Sequence, residues 1–172
     1  AYIEMNLMHE GDEVIVPALW EKSIAHFAAP GKLKNRIIGI PDRGMNIQLG
    51  NTILKAIPAH YLHSEGNFQF YDPVSKILFS GDLGSSMVSS KADHPVENFE
   101  THVHTMEAFH RRYMAGNKVC RYWVKMIRGL DLEWIVPHHG RPFKGKATIE
   151  MFLDWVEDLK CGVDLMTPEH YK

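Results

Sequence analysis

Apolar positions along the chain follow two different periods, and the changes between them mark the elements. Tyr2, Ile3, Met5, Leu7 and Met8 are spaced for a short helix ending near Gly11, and "DEVIVP" then reads as a strand stopped by Pro17. In "ALWEKSIAHFAA", Leu19, Trp20, Ile24 and Phe27 recur at helical spacing before a Pro30-Gly31 stop, and "RIIGI" reads as a short buried strand. Strands then dominate. "MNIQLGNTILKAIPAH" has Gly50-Asn51 between two runs, as a hairpin requires, and "NFQFYDPVSKILFSGD" repeats the device with Asp72-Pro73. Beyond a Ser-rich turn, Phe99, Val103, Met106, Phe109 and Tyr113 return every three or four residues. Val119, Trp123, Val124 and Ile127 resume the stripe, with Gly116-Asn117 splitting it into two helices. "LEWIVP" is a strand, "HHGRPFKGK" a loop, and "ATIEMFLDWVEDLKC" an amphipathic helix capped by Gly162. This order predicts a layered α/β protein with mixed sheets and helices on the outside.

At 172 residues the chain is one domain's worth, so residues 1–172 are expected to form one unit. With 45% hydrophobic and 23% charged residues it has an ordinary globular composition, and no segment is long enough for a transmembrane helix. A formal net charge of -2 provides no basic field for nucleic acid and no polybasic stretch for a lipid surface. Cys120 and Cys161 lack CxxC spacing, which suggests neither a disulfide framework nor a thiolate zinc site and fits a reducing cytoplasm. The eleven histidines are the unusual feature, because imidazole is the commonest metal ligand among side chains.

Three loops leave apolar strands carrying ionisable groups: "PAHYLHSEGN", "SGDLGSS" and "PHHGRP". Residues on turns at strand ends are held by a rigid sheet yet face open space, which suits a site. Imidazole nitrogen and carboxylate oxygen suit Zn, Fe or Mn, and a carboxylate can bridge two cations through its two oxygens. Asp82 is the candidate bridge, with Gly81 and Gly84 letting the backbone turn around it and Gly140 doing the same after His139. Asp82 could equally end a strand in an Asx-turn. Of His60 and His63 one is expected to be structural, and of His138 and His139 only one should face the site if that segment is extended. Glu65 reads as a turn residue. His9, His26, His94, His102, His104, His110 and His170 read as surface or packing residues, Arg111 and Arg112 as a solvated helix face, and Met5, Met8, Met106, Met114 and Met126 as core filler.

Taken together, "YLHSEGNFQFYDPVSKILFSGDLG", "GLDLEWIVPHHGRPFKG" and "RRYMAGNKVCRYWVKMIRGLD" resemble the metallo-β-lactamase fold, in the branch of the flavodiiron and oxygen-binding diiron proteins. The resemblance implies an αββα sandwich with mixed sheets, lacking its N-terminal strands. It gives His63, Asp82 and His139 the metal roles, with Asp82 bridging two iron ions, and leaves His60 and His138 as off-register neighbours. The branch's H-x-E-x-D motif is absent, and "HEGDE" at His9 to Glu13 lies between a helix and a strand, where the family has no ligands. Two protein ligands per metal fall short of the three or four usual in catalytic sites. The missing part is then expected from another chain, as in a homo-oligomer, or from a longer protein. A sheet edge would otherwise stand open.

The implied function is a non-haem diiron protein that binds O2, with reduction of O2 or NO as an extension of that role. No FMN domain or phosphate-cradling loop occurs in the segment, so electrons would come from a donor protein or a fused redox domain. The alternatives are a zinc-dependent hydrolase of the same fold, working through metal-bound hydroxide, and a sensory module with a degraded site.

Overall fold

Glu13–Pro17 (β1) pairs in parallel with Arg36–Ile40 (β2), Val14 lying opposite Ile37 and Val16 opposite Gly39. A 3-10 turn at Ala18–Trp20 and the helix Glu21–Phe27 (α1) begin the connection that a parallel pair needs. The computed structural model describes residues 13–27, 36–88 and 92–172, so the helix predicted before Gly11 and the Pro30-Gly31 stop lie outside the described residues.

The second sheet has six strands in chain order: Met45–Leu49 (β3), Thr52–Pro58 (β4), Phe68–Asp72 (β5), Ile77–Gly81 (β6), Trp134–Pro137 (β7) and Phe143–Lys144 (β8). Both predicted hairpins form. β3 to β6 are successively antiparallel, β6 and β7 are parallel, and β8 runs back against β7. In the turn between β5 and β6, Asp72 accepts hydrogen bonds from the Val74 N–H at 2.9 Å and the Ser75 hydroxyl at 2.6 Å, the Asx geometry that an Asp-Pro step favours. Period-two alternation sets one face of the sheet inward: Gln69, Tyr71, Leu78 and Ser80 are buried, while Phe79 between them is 44% exposed.

Helices cover the inward face. Asn98 caps Phe99–Val103 (α2) by accepting the Thr101 N–H at 3.0 Å. Glu107–Tyr113 (α3) and Asn117–Ile127 (α4) follow, and Lys146–Asp158 (α5) packs antiparallel-sheet residue Phe143 against Phe152 in a stacked pair, centroids 4.2 Å apart. α4 buries Cys120, Trp123, Val124 and Ile127; α5 buries Ile149, Phe152, Leu153 and Val156. Burial of each large apolar side chain contributes roughly 1.5–3 kcal/mol before entropy is charged against it. The Trp123 indole N–H, inside this layer, donates to Gln69 Oε1 at 2.8 Å, so α4 is fixed over β5 by a satisfied polar contact.

Three expectations are corrected. The "HHGRPFKGK" stretch contains a strand, β8, too short to show a period. The helical stripe breaks at His104 to Met106 as well as at Gly116, giving three helices in place of two. Gly162 does not cap α5: the helix ends at Asp158, Leu159 is extended, and Gly162, at φ 49°, opens a separate 3-10 turn. Cys120 and Cys161 are both free and buried, with sulfurs 3.8 Å apart, a proximity their sequence spacing did not announce.

Candidate metal centre

Asp82 follows β6 directly. Gly81, at φ 60°, turns the chain out of the strand, and the Leu83 N–H closes the turn on the Ser80 carbonyl at 3.2 Å while the fully buried Leu83 side chain anchors it. The next residue is tied from a helix: the Gly84 N–H donates to His110 Nε2 at 2.8 Å, and His110 Nδ1 meets the Met106 carbonyl at 2.7 Å. That arrangement makes His110 a neutral imidazole with Nδ1 protonated. Burial pushes its pKa down to about 4, against opposing contributions from the Met106 carbonyl and Asp82.

His63 lies in the loop after β4. Leu62 is completely buried, and the chain on either side bends sharply outward, Tyr61 at φ 64° and His63 at φ 86°. Three hydrogen bonds maintain the bend: Ala59 N–H to the Asn67 carbonyl at 3.0 Å, Tyr61 N–H to the Ser64 carbonyl at 2.7 Å, and the Asn67 side-chain amide to the Leu62 carbonyl at 2.6 Å. The His63 ring then packs against Tyr113 and Phe109 of α3, with centroids 5.2 and 5.9 Å away.

The third loop follows β7. The His138 N–H donates to the Gly81 carbonyl at 2.7 Å and the Ser86 N–H to the His139 carbonyl at 3.1 Å, so this loop is fastened to the Asp82 turn on both sides. Gly140, at φ 85°, lies so close to Ser86 that a Cβ there would overlap its backbone and hydroxyl.

These loops gather three imidazoles around one carboxylate. His63 Nε2 lies 3.7 Å from Asp82 Oδ2, while His138 Nδ1 and His139 Nε2 lie 3.8 and 4.0 Å from Asp82 Oδ1. The expectation that only one of His138 and His139 faces the site held for an extended segment; residues 138–140 form a bend, and both rings come near Asp82. His60 turns away, its Nε2 meeting the Asp42 carbonyl at 2.8 Å and its ring edge-on to Phe68. Glu65 is exposed on its turn. His102 and His110 are buried in the helical layer, whereas His94, His104 and His170 are exposed. His9 and the His26 side chain lie outside the described residues.

The donor set suits a metal in its chemistry. Bonds of about 2.0–2.2 Å from nitrogen and oxygen place neighbouring donors roughly 3–3.5 Å apart. The observed separations, 3.7 to 4.0 Å, are wider, and among the described residues no group of three or more His, Cys, Asp or Glu side chains is placed to hold a metal ion. Within the same residues Asp82 has no lysine or arginine ion-pair partner. A carboxylate oriented toward imidazoles alone has two oxygens on which a cation can act.

The six-stranded sheet, its helical cover and the loops at the strand ends define a metallo-β-lactamase-like fold, the fold shared by structures of chemotaxis sensor ODP and of flavodiiron proteins. The chain belongs to the ODP family of beta-lactamase-like proteins, whose family model matches residues 2–140. Among solved structures it is similar to the apo state of the chemotaxis sensor ODP from T. denticola, at 39% identity and TM-score 0.80, over 89% of this chain and 62% of that one. A structure described as the peroxy diiron species of chemotaxis sensor ODP matches at 38% identity and TM-score 0.77, over 88% and 62%. The flavodiiron protein from Giardia intestinalis shares the fold at 20% identity and TM-score 0.67, over 84% and 35%. An uncharacterized protein of Methanocaldococcus jannaschii is 29% identical over 143 residues, 78% of this chain and 35% of that protein. The chain thus spans less than two thirds of the length of these relatives.

Aromatic packing on His63 and the His110 strut were the functional features missed from sequence. Phe109 and Tyr113 are four residues apart on one helix and hence on one face. That signal was absorbed into the reading of a core stripe.

Proposed function

We propose that this chain is part of a non-haem diiron protein that binds O2 at a centre held by His63, Asp82 and His139, with Asp82 bridging the two ions. The observation that carries the reading is the meeting of imidazoles from two distant loops on the two oxygens of Asp82. Likeness to the diiron sensor structures supports iron over zinc. A pair of iron ions, when bound, supplies the O2 affinity and the electrons exchanged with it. The chain's own residues position that pair: the turn at Gly81 presents Asp82, the bent loop presents His63 Nε2, and Phe109 and Tyr113 shield one side of the His63 ring from water. His138, with Nδ1 3.8 Å from Asp82 Oδ1, is a fourth candidate donor. Reduction of O2 or NO extends the reading and requires electrons from a separate donor protein or fused domain.

Anaerobic loading with Fe(II), followed by iron analysis and visible spectra before and after air, tests it. Asp82→Ala and His63→Ala are expected to lose most of the iron and the O2-dependent absorption, and His139→Ala to lose more than His138→Ala. Unchanged iron in the Asp82 and His63 variants would reject the site. Stoichiometric zinc with zinc-dependent ester hydrolysis, and no response to O2, would favour the hydrolase reading.

A further inference from the structure

Away from the three loops, the structure brings together the two cysteines of the chain. Cys120 lies on the buried face of α4 and Cys161 at the start of the 3-10 turn Gly162–Leu165, 41 residues later, and their sulfurs are in contact at 3.8 Å with no other thiol available. We propose that Cys120 and Cys161 form a reversible dithiol/disulfide site, oxidised by hydrogen peroxide, whose closure stiffens the loop that carries His63.

The chemistry proceeds in two balanced steps. Peroxide oxygen is transferred to the Cys161 sulfur, giving a sulfenic acid and one water; the Cys120 thiol then attacks that sulfur, forming the S–S bond and releasing a second water. Overall two thiols lose two hydrogens and two electrons to one peroxide. Cys161 is the sulfur attacked first, because it lies at the short 3-10 turn Gly162–Leu165 while Cys120 stays on the buried face of α4. Asp164, which accepts the Cys161 N–H at 3.2 Å, also accepts the Asn117 N–H at 2.6 Å, and so positions the Cys161 turn at the beginning of α4. Neither sulfur is exposed, so oxidation follows the opening of this short turn, which is easier to open than the helix beneath it.

A backbone ladder carries the effect to His63. The Val163 N–H donates to the Ala115 carbonyl at 2.9 Å, the Ala115 N–H to the Tyr61 carbonyl at 3.1 Å, and the Tyr61 N–H to the Ser64 carbonyl at 2.7 Å, enclosing His63 in its last turn. A covalent bond between α4 and the Cys161 turn removes the opening motion at the head of this ladder. Two small apolar residues packed together would have neither the chemistry nor the coupling.

The experiment uses the full chain, reduced and freed of metal with chelator, so that it is independent of the diiron reading. Peroxide at neutral pH is expected to consume both thiols together, with loss of two hydrogens per chain by mass spectrometry. A proteolytic fragment joining Cys120 to Cys161 should then be seen without reductant, and dithiothreitol should restore both thiols. Cys120→Ala should stop at a Cys161 sulfenic acid trapped by dimedone, and Cys161→Ala should leave Cys120 unmodified; circular dichroism confirms that each is folded. In the oxidised wild type, amide exchange at Tyr61, Ala115 and Val163 is expected to slow several-fold. Thiols that survive until guanidinium is added, or that react only between chains, would overturn the oxidation site. Closure without slower exchange would overturn the coupling to His63.

Discussion

At single residues, the centre depends as much on groups that hold loops as on the groups that face Asp82. His110 is the strongest case, since it closes a hydrogen bond between α3 and the Gly84 amide from a fully buried position. His110→Phe fills the space but orphans that buried amide, a cost of about 1–3 kcal/mol, read as a lower urea midpoint at pH 7. Its acid behaviour is also specific. The folded pKa, about 4, lies below the unfolded value, so the unfolded chain binds the extra proton between them. The stabilisation from a neutral His110 is therefore complete above the unfolded pKa and is lost as pH falls toward 4. The wild type should lose more stability than the Phe variant between pH 7 and pH 4.5. Gly140 has a different constraint: a left-handed backbone and no room beside Ser86. Gly140→Ala is expected to cost at least about 2 kcal/mol and to displace His139, seen as lower thermal stability and lower iron content together.

Among elements, the pairing of α4 with α5 rests on apolar stripes inside and one arginine outside. Arg128, at the C-terminal end of α4, reaches Glu150, Asp154 and Glu157 along one face of α5. All four are solvent-accessible, so Arg128→Ala is expected to cost about 1 kcal/mol, and the difference from wild type should shrink in 0.5 M salt as screening takes over. Elements with a full period were legible from the chain. The β3–β4 and β5–β6 hairpins followed from Gly50-Asn51 and Asp72-Pro73, and α5 followed from the amphipathic pattern of "ATIEMFLDWVEDLKC". Elements without one were not: β8 has two residues, and the break at His104 to Met106 lies inside an unbroken apolar stripe. The site shows the same division. Asp82 stood out because turn residues framed it, whereas the period of the chain could not separate His63 from His60 or His139 from His138; only the family resemblance chose between them, and the bend over residues 138–140 carries no periodic signal.

At the level of the whole molecule, the two faces of the large sheet differ: helices seal one, and on the other Phe79 stays 44% exposed. On the proposed diiron reading, iron binding only to the folded form adds stability by mass action, about 2.7 kcal/mol at a hundredfold excess over the dissociation constant. For a chain of this size that corresponds to a rise of roughly 5–10 °C in Tm, measurable by anaerobic calorimetry with and without Fe(II). The Asp82→Ala protein should show no such rise. The φ of 86° at His63 sets two selective pressures against each other, because an L side chain held there costs free energy that glycine would not. A His63→Gly protein should therefore outlast the parent in heat while surrendering its iron. On the proposed reading, descendants released from metal binding would shed this imidazole early, and those that retain it would bear a continuing thermodynamic burden.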